Sequence, residues 1–71
     1  MNLGDLALHQ AAIVIRIAPT AHNLREIGFA EGDEVEIIHM DLSKQTIAVR
    51  VNRTAVGMKR VDANKIKVTV L

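Results

Sequence analysis

A small, mainly β fold is predicted, with five short antiparallel strands bent into a barrel and one short helix between the first and second strands. Three observations predict it. Sixteen of the 71 residues are Ile or Val, whose branched Cβ packs well on a pleated surface and is stiff in a helix. Apolar and polar residues alternate with period two in several short segments. Gly, Pro and Asn residues punctuate those segments at short intervals, and closing so small a sheet protects strand edges that a flat one exposes.

Residues 1–8 form a lead-in, in which Leu3, Leu6 and Leu8 can cover one end of a core, either extended or as a short helical turn. The first strand runs from Ala11 to Ile17, where Ile13, Ile15 and Ile17 alternate with Val14 and Arg16. Pro19 stops it, because proline donates nothing to a ladder. Thr20 is a suitable N-cap for a helix from Ala21 to Ile27, with Leu24 and Ile27 on one face and Arg25 and Glu26 toward water. So short a helix persists only if packed. Gly28 stands where a helix ends in a left-handed conformation, and Gly32 where a type II turn over Ala30–Asp33 needs positive φ.

A second strand follows, with Val35 and Ile37 between Glu34 and Glu36. A third carries Ile47, Val49 and Val51, and a turn at Asn52–Arg53 leads to a short fourth strand from Thr54 to Met58. Asp62–Ala63–Asn64 reads as a 3₁₀-type connector. The last strand alternates Ile66, Val68 and Val70 with Lys65, Lys67 and Thr69, an edge-strand pattern. Five strands with tight turns in one domain covering residues 1–71 suggest an SH3-like barrel.

Composition narrows the functions open to such a barrel. No cysteine is present, so neither a disulfide framework nor a thiolate metal cage supports the fold, as suits a reducing compartment. Phe29 is the only aromatic residue, which removes the stacking platform for single-stranded nucleic acid and the groove for polyproline ligands. The formal charge is +1, against the strongly basic balance usual in nucleic-acid binders. The longest apolar run, Ala11–Ile15, is far short of the ~20 residues of a membrane span. The N-terminus lacks a basic signal-peptide region, so a cytoplasmic protein is expected.

The inventory of chemistry is thin. Ser43 is the only serine, and Asp62 near Lys59 and Lys65 is more simply a connector residue than a catalytic one. His9, His22 and His39 lie in separate elements without metal-ligand spacing, His22 with Glu26 at i, i+4 being the one pair to consider. No enzyme, cofactor or metal site is expected. The basic residues Arg50, Arg53, Lys59, Arg60, Lys65 and Lys67 could instead contact phosphates as a salt-sensitive patch. The simpler reading is a solvated face whose lysines keep an edge from pairing.

The run Leu24, Glu26, Ile27, Gly28, Phe29, Gly32, Val35 and Ile37 fits a pattern L-x-E-[LI]-G-[LF]-x-x-G-x-x-[VI]-x-[VI]. Ile47–Val51, Met58–Ala63 and Ile66–Val68 fit the segments that follow it. In these residues the chain resembles the FeoA family, small cytoplasmic accessory proteins of bacterial ferrous-iron uptake with an SH3-like barrel. The likeness spans roughly residues 11–71 and departs in three places. Leu8–His9–Gln10 replaces a Pro-Gly turn, His39–Gln45 replaces an A-P-x-G-D-P loop, and Gly57 stands where alanine is usual.

The resemblance implies a non-catalytic module that docks on the cytosolic part of a membrane ferrous-iron transporter, without inserting into the membrane itself. Leu24, Arg25, Glu26, Met40, Gly57 and Met58 are the candidate docking residues. Leu24 and Met58 could equally be core, whereas Met40 is expected to be exposed on a polar loop. The same domain occurs fused to iron-dependent repressors, which keeps a metal-responsive binding domain as an alternative. A start at Met1 without a helix-turn-helix favours a separate protein. Bare strand edges would also allow copies to pair.

Overall fold

The computed structural model describes residues 1–21 and 28–71. A 3₁₀ turn at Leu3–Asp5 leads into β1 (Ala11–Ile17), and a second at Pro19–Ala21 follows it. Then come β2 (Glu34–Met40), β3 (Thr46–Val51), β4 (Thr54–Lys59), one turn of helix α1 (Arg60–Ala63) and β5 (Ile66–Val70). All described pairings are antiparallel, in the order β4-β3-β2-β1-β5.

Two expectations are corrected. The ladder is not closed into a barrel, because β4 and β5 are its two ends and do not pair. The outer edge of β5 is taken by the N-terminus instead: Val68 N–H donates to Met1 O at 2.8 Å, and Asn2 bridges to Lys67. The helix of the described residues follows β4, where a 3₁₀ connector at Asp62–Asn64 was expected. Asn64 N–H reaches back to Arg60 O at 3.0 Å, which makes that turn α-helical. Of the helix expected over Ala21–Ile27, Ala21 lies in the 3₁₀ turn Pro19–Ala21 and the rest falls on residues 22–27, outside the described residues.

Two bulges bend this open sheet around a single core. Register shifts between Val14 and Arg16 in β1, and between Ile37 and His39 in β2. An extra residue switches every later side chain to the other face. So Ala12, Val14 and Ile17 point inward in β1, while Ile15, expected among the inward isoleucines, is 54% exposed. The bend lets Met58 of β4 and Ile66 and Val68 of β5 join one cluster with Val35, Ile37, Ile47 and Val49. Leu3 and Leu6 of the lead-in close its end, Phe29 fills it, and Leu8 remains exposed.

Turns fix the registers. Asn52 and Arg53, the two residues between β3 and β4, have φ of +50° and +67°, the type I′ geometry whose twist matches that of its strands. Asn tolerates this region, but Arg carries a steric cost there. Arg53→Gly is therefore expected to stabilise the fold by about 0.5–1 kcal/mol, relief at Cβ exceeding the entropy that glycine adds to the unfolded chain. A higher urea midpoint at unchanged m-value checks this; an unchanged midpoint would mean the arginine is unstrained.

His9 raises the same issue. It sits at φ +67° as third residue of a turn closed by Gln10 N–H to Ala7 O at 3.0 Å. Its own N–H donates to Ile37 O at 2.7 Å, tying that turn to β2.

Candidate interaction surface

Among the described residues, none of the buried side chains is polar or charged. Among the described residues, no three His, Asp or Glu side chains are grouped to hold a metal ion. His9 Nδ1 and Arg50 Nη1 both face Glu36, at 3.8 and 3.6 Å, in an exposed cluster. These pairs are solvated and contribute little to stability.

Among the described residues, no strand pairs with the outer side of β4. Arg60 N–H donates to Gln45 O at 2.8 Å, extending the β3–β4 ladder by one pair. Antiparallel bonds alternate, so with the two-residue turn at the other end Thr54, Val56 and Met58 direct their backbone groups to β3. Ala55, Gly57 and Lys59 direct theirs away from the sheet. Ala55 and Gly57 are exposed, and a Cβ at Gly57 would meet no atom within 4 Å. The result is an unbulged edge bearing two of the smallest residues, where natural edges usually carry charge or a bulge.

The candidate residues divide sharply. Met40 pairs with Ile47, and Ile47 with Met58, so the three form one row on the inner face. Met58 is 8% exposed and belongs to the core. Met40, expected to be exposed, is half-buried against that core, because β2 extends through it before the loop begins. His39, Ala48 and Gly57 form the next row, on the outer face. Leu24, Arg25 and Glu26 lie outside the described residues. The basic patch of the C-terminal half is broken up, with Arg50 on Glu36, Lys65 on Asp62 at 3.6 Å, and Arg60 Nε donating to Gly4 O at 2.8 Å.

Two further residues organise the surface, Asp41 and the turn residue Asn52, neither of them among the candidate docking residues. Asp41 orders the β2–β3 loop: its Oδ1 accepts from the N–H groups of Gln45 (2.9 Å) and Thr46 (3.2 Å), and its Oδ2 from Ser43 Oγ (2.8 Å). The Asp-x-Ser spacing is a signal for such a turn. Asn52 Nδ2 donates to Gly28 O at 3.3 Å and Asp33 Oδ2 at 3.2 Å, fastening the hairpin tip to the turn before β2.

The Ser43 hydroxyl, with the Thr46 and Gln45 amides, holds the Asp41 carboxyl below its ordinary range. A lowered folded pKa contributes order that is fully present above the unfolded value, about 3.9, and lost as pH falls through the folded one. Exchange protection of the Gln45 and Thr46 amides is expected to decline below about pH 4. In Asp41→Ala it is expected to be weak at neutral pH; full protection there would mean the ladder alone holds the loop.

A model of the FeoA domain matches residues 1–70. The chain belongs to the FeoA family. The likeness thus includes the lead-in, whose Leu3 and Leu6 complete the core. No curated protein matches the chain. The FeoA protein from Chlorobium tepidum superimposes with a TM-score of 0.89 at 26% identity, over 100% of this chain and 70% of that one. A zinc-complexed FeoA from Stenotrophomonas maltophilia, described as an SH3 domain protein, gives 0.86 at 28% identity over 97% and 89%. A manganese-dependent transcriptional repressor gives 0.88 at 18% identity, with this FeoA domain spanning 36% of its length. That last likeness is one of fold. Among the described residues of this FeoA chain, no helix is long and apolar enough to cross a membrane.

Proposed function

We propose that this FeoA protein is a non-catalytic accessory of bacterial ferrous-iron uptake that docks on the cytosolic part of a ferrous-iron transporter and regulates or supports it. The family match over residues 1–70 carries the reading. The Stenotrophomonas relative, raised as a candidate ferrous iron transport activating factor, supports it. The physical support is the β4 edge, since an exposed edge accepts an added strand through backbone hydrogen bonds, a common mode of segment recognition. Docking centres on Gly57 and Ala55, together with the segment carrying Leu24, Arg25 and Glu26. Met58 holds the edge in place from beneath.

Gly57 gives a clean test, because a side chain added there meets open space. Tagged protein applied to detergent-solubilised membranes of the native host is expected to retain a ferrous-iron transporter, identified by mass spectrometry. Gly57→Arg is expected to reduce recovery at least about tenfold, the loss of ~1.4 kcal/mol of binding or more, while melting as the parent does. Failure of the parent to recover any iron transporter would sink the reading. Full recovery by Gly57→Arg would move docking off this edge.

A further inference from the structure

Where β4 passes into α1, the chain forms a cleft of about 580 Å³ against the β2–β3 loop. Ser43, Lys44 and Thr46 line one side, and Lys59, Arg60 and Val61 the other. Among the described residues, no carboxylate lines it. Three cations therefore converge on one concavity of a chain whose net charge is only +1. Lys44, Lys59 and Arg60 form no ion pair among the described residues.

The walls are held in place. Asp41 ties the loop at Ser43, Gln45 and Thr46, and Lys44 N–H donates to Asp41 O at 3.0 Å with its own φ at +61°. Thr46 and Lys59 are directly paired across β3 and β4. Arg60 is anchored through Nε on the Gly4 carbonyl at 2.8 Å, so its fork is preorganised for a carboxylate. An apolar group stands beside these charges: Val61 lines the cleft and is 66% exposed.

We infer that this cleft is a binding site for an acidic segment of a partner protein, carboxylates on Lys44, Lys59 and Arg60 and an aliphatic side chain against Val61. Charge complementarity selects the acid, since three cations line the cleft with no carboxylate among them. The exposed Val61 selects a peptide over a bare anion, which would leave it wet. Phe29 is buried, so no ring is available for stacking bases, the grip that single-stranded nucleic acid would need. The site is defined by charge and shape, so it holds whichever protein carries the segment, and its test is independent of transporter recovery.

The experiment is an amide-shift titration of the nitrogen-15-labelled full chain with a short synthetic peptide of glutamates around a central leucine. Saturable shifts are expected at Lys44, Thr46, Lys59 and Val61. They are expected to weaken about tenfold or more in the Lys44→Glu, Lys59→Glu double variant, whose exposed sites leave the rest of the spectrum in place. Replacing the peptide's leucine by serine is expected to weaken binding about fivefold, equivalent to burying one aliphatic side chain only in part. No saturation at millimolar peptide overturns the inference. Equal shifts with inorganic phosphate would make this a simple anion site, and stronger binding to phosphatidylglycerol vesicles a membrane-facing one; either result overturns it too.

Discussion

Met58→Asp is expected to leave the domain unfolded at room temperature, while Gly57→Arg, one residue earlier, changes its stability by no more than about 0.5 kcal/mol. Met58 is 8% exposed and packed in the row Met40–Ile47–Met58. Truncating a buried methionine to alanine alone costs about 2–5 kcal/mol. The aspartate adds a desolvation penalty of several kcal/mol with no compensating partner among the described residues, whose buried side chains include none that is polar. A domain of this size has a total margin of roughly 4–10 kcal/mol. Lost packing and an unsolvated charge together consume it.

Gly57 projects from the same strand into open space, where an added Cβ would have no atom within 4 Å, so a side chain there stays solvated. Far-UV circular dichroism and urea melts of the two variants check the contrast. A folded Met58→Asp protein with a parental midpoint would show that β4 does not cover the core. The contrast also governs functional tests: loss of binding in Met58→Asp reports unfolding, whereas loss in Gly57→Arg reports the edge.

Local alternation and turn chemistry were legible in the residues. Ile47, Val49 and Val51 are buried in β3 where period two places them, and a turn at Asn52–Arg53 is where the hairpin reverses. The inward face of β1 was not legible, because its bulge resets parity after Val14 and periodicity carries no mark of an inserted residue. Sheet closure was not legible either. It depends on whether β5 finds β4 or the N-terminal Met1–Asn2 segment, a competition between contacts remote in sequence. Met40 was misplaced for a related reason, its polar neighbours suggesting a loop while its pairing with Ile47 continues the strand.

The candidate surface was less legible than the fold. Gly57 is in the expected element, but what makes it a candidate is an edge position and an empty space beside it, both tertiary properties. The cleft of Lys44, Lys59 and Arg60 joins residues from two segments that no spacing rule connects. Its organiser, Asp41, could have been found from Asp41–Leu42–Ser43, where a carboxylate two residues before a serine suits a side-chain-closed turn.

Gly28→Val and Gly32→Val are each expected to destabilise the domain by about 1–3 kcal/mol, purely through the backbone. Gly28 has φ +126° and Gly32 φ +92°, and a Cβ at either would meet no atom within 4 Å. Crowding by neighbours is thereby separated from conformational strain. Gly32 is third in the Ala30–Asp33 turn, closed by Asp33 N–H to Ala30 O at 3.2 Å and Ala30 N–H to Asp33 Oδ2 at 3.0 Å. Its φ is close to the +80° of a type II turn, so Gly32→Asn is expected to recover part of the loss. At Gly28 asparagine is expected to recover little, because +126° lies beyond the left-handed helical well. Valine is worst at both, its branched Cβ crowding the adjacent peptides. The two sites are also coupled, since Asn52 Nδ2 bonds both Gly28 O and Asp33 Oδ2. Displacing either end frees that amide, so the double variant is expected to lose less than the sum of the singles. Urea melts of the four variants and the double measure this directly. Additive losses would remove Asn52 as the link, and parental midpoints throughout would mean that valine fits both turns without strain.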